Sequence, residues 1–139
     1  MKLHFTKMQA AGNDYVYFDC RAGGLPTRKE AAALAVRLSR RRFSVGGDGI
    51  ILIGPPLLAD GDAAMYIYNA DGSEGAMCGN GVRCVAEYLY THGVRRGCIQ
   101  IDTPQAGRKT LHRVAPQVWQ AGMGHFSARA EMFPAVGLG

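Results

Sequence analysis

The sequence has one tryptophan, four cysteines, four histidines, and only 11 acidic residues against 16 Lys and Arg. No stretch approaches the ~18 consecutive apolar residues of a membrane-spanning helix, so no such span is expected. The N-terminus, MKLHFTKMQAAGND, lacks the apolar core of a signal peptide. A cytoplasmic protein in a reducing compartment is therefore expected, with Cys20, Cys78, Cys84 and Cys98 as free thiols. The C-x-x-C spacing is missing, which removes the common dithiol redox motif. Cys78 and Cys84 stand roughly 240° apart around a helix, which is not zinc-ligand spacing. His4, His92, His112 and His125 add no ligand pattern, so no metal is expected. No local signature supports a papain-like Cys–His pair either. Internal repeats, low-complexity tracts and inner domain boundaries are also missing.

What is present is one domain's worth of chain, 139 residues that are 47% hydrophobic and 19% charged. The net charge of +5 raises the question of nucleic acid. The basic residues gather in RKEAAALAVRLSRRRF (28–43) without interleaved aromatics, which fits a solvated helix face better. A basic cleft for a carboxylate substrate fits the same charge.

LHFTKMQ (3–9) and YVYFDC (15–20) read as strands around a Gly-Asn turn. Thr27 with Glu30 forms a capping box, and Ala31, Leu34, Ala35 and Leu38 recur at helical spacing, predicting a surface helix to about Arg41. IILIG (50–54) is a buried-strand run, PPLLADGD a loop, and AAMYIYNA (63–70) a strand closed by NADG. In GVRCVAEYLYTHGV (81–94) the residues Val82, Val85, Ala86, Leu89 and Tyr90 form one stripe, widened by Cys84 and Tyr88. A helix that apolar is surrounded by other elements, and Gly93 supplies its stop. CIQIDTP (98–104) alternates as a strand, and RKTLHRV with QVWQAGMG reads as a hairpin. The expected fold is α+β, with mostly antiparallel strands wrapped around one central helix plus an outer helix.

Within MCGNGVRC (77–84), Cys78 stands just ahead of a Gly-Asn-Gly turn that opens the central helix. A helix start carries N–H groups without intrahelical partners and the positive end of the dipole. Glycines let an anion approach that backbone closely, and a thiol there has its thiolate form stabilised. One short segment can thus hold a carboxylate and supply a base. The plain alternative is a buried structural cysteine before a glycine turn. Gly12-Asn13-Asp14 and Asn69-Ala70-Asp71-Gly72-Ser73-Glu74 are ordinary turn sequences. Their asparagines also offer a donor and an acceptor each, suited to an amino acid's ammonium and carboxylate.

GNDYVYFD (12–19), VGGDGIILI (45–53), YNADGSEGAMCGNGVRC (68–84) and VWQAGMG (118–124) follow one another in the order and spacing of diaminopimelate epimerases. The chain resembles the N-terminal half of that family over nearly its whole length. The resemblance implies two similar halves, each a strand layer around a central helix, with the active site between them. It implies inversion of one α-carbon of LL-diaminopimelate to the meso form, without pyridoxal phosphate or metal, in lysine and peptidoglycan synthesis. By the same resemblance Cys78 is one of two catalytic cysteines, Gly79 and Asn80 hold the substrate through their turn, and Asn13 and Asn69 bind its polar groups.

The second catalytic cysteine of the family lies in a later glycine-rich motif that this sequence does not contain. Cys20, Cys84 and Cys98 have no glycine-rich turn and are not stand-ins for it. Gly49 stands where some members carry a substrate-contacting Gln, and Gly75-Ala76 differs from the bulkier or charged residues expected there. The resulting expectation is a diaminopimelate-epimerase-like domain at 1–125 and a linker-like tail at 126–139 leading to a missing domain. Partners would be diaminopimelate and, through the uncovered cleft face, a second copy in a homodimer, with neither nucleic acid nor membrane. Two other classes stay open: a related cofactor-independent racemase or isomerase, and a half-domain that binds or assembles without catalysis.

Overall fold

The computed structural model describes residues 4–10, 12–40, 46–75, 78–121 and 136–137. The strands are β1 (Thr6–Ala10), β2 (Asn13–Asp19), β3 (Gly49–Gly54), β4 (Ala63–Asn69), β5 (Glu74–Gly75), β6 (Cys98–Thr103), β7 (Gly107–Ala115), β8 (Val118–Ala121) and β9 (Val136–Gly137). The helices are α1 (Arg28–Leu38) and α2 (Gly79–Thr91). All strands belong to one sheet ordered β8-β7-β6-β4-β3-β2-β1-β9, with β5 pairing beside β4.

Only β2 with β3 and β4 with β6 run parallel; the other pairs are antiparallel. Each parallel pair is bridged by a helix, α1 in the first and α2 in the second. Both crossovers step the same way across the sheet, but β3 and β4 run in opposite directions. Crossovers of equal, right-handed sense then put the two helices on opposite faces.

The period-2 alternation of the strands divides the core accordingly. Tyr15, Tyr17, Ile51, Ile53, Met65 and Ile67 face α2, where they pack with Val82, Cys84, Val85, Ala86 and Leu89. Val16, Phe18, Ile50, Leu52 and Tyr68 face the other way, onto Ala31 and Ala35 of α1. Strand β3 is buried along its whole length because it lies between the two helices, as its unbroken apolar run suggests. Helix α2 touches β1 near one end of the sheet and β8 at the other, so the sheet curls around it. Trp119 of β8 seals that contact, donating its indole N–H to Glu87 Oε1 at 2.9 Å.

The ends of the elements have local causes. Thr27 and Glu30 form the reciprocal capping box that starts α1. The helix stops at Leu38, short of Arg41, because Ser39 turns its N–H onto Ala35 O as the C-cap. Helix α2 starts two residues earlier than the apolar stripe suggests, with Cys78 as its N-cap. At its far end Gly93 adopts φ +114°, and Val94 N–H reaches back to Leu89 O at 2.8 Å, a Schellman closure. The two-residue β5 is too short to leave a pattern in the sequence. Of the tail at 126–139 only Val136–Gly137 is described, as a strand against β1; the rest of that expected linker lies outside the described residues.

Candidate active site

The turn before β2, the start of β3, the end of β4 and the start of α2 meet at one end of the sheet. Asp48 N–H donates to Asp14 O at 2.7 Å, and Asp14 N–H donates to Asp48 Oδ2 at 2.8 Å. Gly49 is in register with Asn69. These lateral links set Asn13, Gly49 and Asn69 along one edge, beside which the chain re-enters as α2.

Cys78 is half-buried in extended backbone, with φ −138° and ψ 112°. Its Sγ accepts Gly81 N–H at 3.2 Å, so the sulfur itself takes the capping place that Ser or Asp commonly fills. Space at Gly81 is tight. A Cβ at that position would lie 2.8 Å from Ile51 Cδ1 and 3.4 Å from the sulfur. Behind the site Tyr17 O–H donates to Gly81 O at 3.4 Å. Burial first, and then the negative charge that the nearby Cys78 sulfur can carry, hold the Tyr15 phenol well above its ordinary value. Tyr15 thus stays a protonated phenol near Cys78.

The two neighbouring cysteines are chemically distinct. Cys84 is enclosed within α2's packed face, and burial pushes its thiol up to about 11, with the nearby Tyr17 hydroxyl only partly opposing the rise. Cys20 is also buried and raised by desolvation, while Cys98 is exposed at the start of β6. Among the described residues, Cys78 alone of the four holds a helix start.

The expected site residues divide into two groups. Asn80 Nδ2 donates to Asn13 Oδ1 at 2.7 Å, across 67 residues of sequence, and Arg83 Nη1 donates to Asn80 Oδ1 at 3.0 Å. Cys78, Gly79, Asn80 and Asn13 therefore belong to one cluster. Asn69 lies at the same end of the sheet but bonds within its own turn, Nδ2 to Ser73 Oγ at 3.1 Å. No hydrogen bond joins it to Asn13 or Asn80 among the described residues. At Gly49 a Cβ would fall 2.2 Å from Tyr68 O, so this backbone accepts no side chain there. A Cβ at Gly75 would come within 3.1 Å of Ile67 Cγ2, a tight fit; Ala76 lies outside the described residues. Tyr15, Tyr17 and Arg83 also belong to the cluster, though no sequence motif marks them. The available signal was an arginine in the first turns of an otherwise apolar helix.

A protein-family model for diaminopimelate epimerase matches residues 5–125. This chain belongs to the diaminopimelate epimerase family. A diaminopimelate epimerase of Desulfovibrio desulfuricans is 47% identical over 111 residues, covering 78% of this chain and 36% of that protein. One of Xanthomonas campestris is 46% identical over 114 residues, 81% of this chain and 38% of that protein. The chain thus spans a little over a third of the length of these curated relatives. Among solved structures, a probable proline racemase of Agrobacterium radiobacter superposes with a TM-score of 0.64 at 18% identity, over 86% of this chain and 41% of that one. A Bacillus anthracis phenazine biosynthesis protein of the PhzF family gives 0.62 at 21% identity, over 81% and 36%. At such identities these two speak for the fold alone: a curled, mostly antiparallel sheet around one helix, shared by the epimerase family and by racemase-like and phenazine-type proteins.

Proposed function

We propose that this chain supplies one catalytic half of a diaminopimelate epimerase, inverting one α-carbon of LL-diaminopimelate to give the meso form without a cofactor. The observation that carries this reading is the Cys78 sulfur capping α2 beside the Asn80–Asn13 pair, within a chain of this family.

Inversion at carbon requires a proton to leave one face and another to arrive on the opposite face, so two groups must flank the carbon. Cys78 acts as one of them, as thiolate accepting the α-proton or as thiol delivering one. A second cysteine from a partner half does the reverse on the other face. After a turnover one sulfur has gained the proton the other has lost, and exchange with solvent restores the starting pair. Negative charge spreads from the α-carbon onto the adjacent carboxylate, where the N–H groups of the Gly79-Asn80 turn at the positive end of α2 stabilise it. Asn13 and Asn69 bind the ammonium and carboxylate groups that orient the substrate. The reaction belongs to lysine and peptidoglycan synthesis in the cytoplasm.

Transfer of the diaminopimelate α-hydrogen in deuterated water tests this. With a complementing half present, exchange is expected and should vanish in Cys78→Ala. Undiminished exchange by that variant would remove Cys78 from the mechanism. A second reading, a binding half without catalysis, is favoured by one observation: Cys78 is the lone cysteine at a helix start among the described residues. Saturable diaminopimelate binding with no exchange under complementation would support it.

A further inference from the structure

Arg83 is 4% exposed on the third residue after Asn80, and its Nε has no hydrogen-bond partner. No carboxylate pairs with it among the described residues; its one hydrogen bond runs from Nη1 to Asn80 Oδ1. Burying a guanidinium without a counter-ion is unfavourable. Arg113, whose Nε is likewise unpartnered, at least lies over the Tyr90 ring at 4.2 Å. Arg83 has no ring contact; the Cys78 and Cys84 sulfurs favour its charge without hydrogen-bonding it, and its one hydrogen bond goes to an amide.

A guanidinium has five N–H donors and no acceptor, so the Asn80 atom facing it must be the oxygen. Asn80 then presents its Nδ2 to Asn13, which obliges Asn13 to answer with Oδ1. The Asn13 Nδ2 is left over, and it makes no hydrogen bond among the described residues. Without Arg83 both amides could turn over together at equal internal cost, presenting an acceptor to the site in place of a donor.

We propose that Arg83 is a positioning residue: it fixes the polarity of the Asn80–Asn13 amide chain so that a donor, Asn13 Nδ2, faces the site for a substrate carboxylate. Its positive charge, two bonds removed, reinforces that donor through the polarised chain. The substrate part rests on the diaminopimelate reading; the amide polarity does not.

The test uses the 15N-labelled chain with Arg83→Lys and Arg83→Met, observing side-chain amide signals before and during diaminopimelate titration. In the wild type one Asn80 amide proton is expected to be hydrogen-bonded and slow to exchange, and both Asn13 protons to be free. Arg83→Lys, also donor-only, should keep that pattern and bind within about threefold of wild type. Arg83→Met, with its fold checked by unchanged backbone signals in β6 and β7, should average the pattern and weaken binding by about tenfold or more. An unchanged amide pattern in Arg83→Met, or equal losses in the Lys and Met variants, overturns the proposal. If diaminopimelate moves no signal in the wild type, the substrate reading fails for this chain, and the amide patterns still decide the role of Arg83.

Discussion

Cys78 and Cys84 lie six residues apart, yet one is half-exposed and the other buried. Cys84 is sealed in the core and its thiol is raised to about 11; a raised value keeps it protonated until the pH climbs toward that figure. Cys78 sits half-exposed at a helix start. Limited alkylation at neutral pH, followed by peptide mass spectrometry, should therefore label Cys78 and the exposed Cys98 while sparing Cys84. Labelling of Cys84 as fast as Cys78 would mean that the packed face of α2 opens readily. The role of Gly81 is equally local. Gly81→Ala forces a Cβ to within 2.8 Å of Ile51 Cδ1, and overpacking of this kind destabilises by about 1–3 kcal/mol. Cys78, Gly79 and Asn80 were legible in the sequence because they are contiguous and each is chemically distinctive at a helix start. The Asn13–Asn80 bond was not, because it joins positions 67 residues apart and no local pattern encodes it. The sequence gives no sign of Arg83's place in the cluster, because an arginine beside an apolar stripe ordinarily points to water.

At the scale of elements, periodicity carried the reading furthest where one face is buried. Helix α1 shows it: Thr27 and Glu30 mark its start, and Ala31 and Ala35 mark the face that meets β3 and β4. Thr27→Ala removes the acceptor for Glu30 N–H and should lower stability by about 1 kcal/mol, measurable by urea denaturation. Leu89 lies at the centre of the curled sheet, fully buried. Leu89→Ala should be far more damaging, about 2–5 kcal/mol, because the surrounding strands cannot close over the cavity. A smaller loss than that of Thr27→Ala would show that α2 is not the packing centre. Between β6 and β7, Arg108 holds the Asp102 carboxyl below its ordinary value of 3.8, helped by Leu57 and Leu58 N–H groups. A depressed value contributes stability that is complete above pH 3.8 and is lost as the pH falls through the lower, folded-state value. Asp102→Asn should flatten that acid limb of the stability curve. The ends of α1 and α2 shifted by two or three residues because caps, not apolar stripes, decide where helices begin and stop. Strand β5 leaves no sequence signal because two residues have no period.

For the whole molecule, the α+β class and the central helix follow from the strand alternation and the nearly all-round apolarity of α2. The strand order does not follow from either. It depends on which way each crossover steps, and the two parallel pairs, β2 with β3 and β4 with β6, became apparent only in three dimensions. On the proposed function, a complementary half or a second copy would seat on the site end of the sheet, where Cys78, Asn13 and Asn80 are half-buried. Two copies meeting there would set one Cys78 against the other. A covalent dimer on non-reducing gels, absent in Cys78→Ala, would report that arrangement; dimers that persist in the variant would place the contact elsewhere.

The central claim is that this chain carries one of the two proton-transferring groups of a diaminopimelate epimerase. The most direct measurement is deuterium incorporation at the α-carbon of diaminopimelate in deuterated water, read by mass spectrometry. It should compare this chain alone with a chimaera in which residues 5–125 replace the matching segment of the Xanthomonas campestris relative. The account predicts no incorporation by the chain alone, ready incorporation by the chimaera, and loss of that incorporation in Cys78→Ala. Rapid turnover by the chain alone, or a Cys78→Ala chimaera as active as its parent, would contradict it.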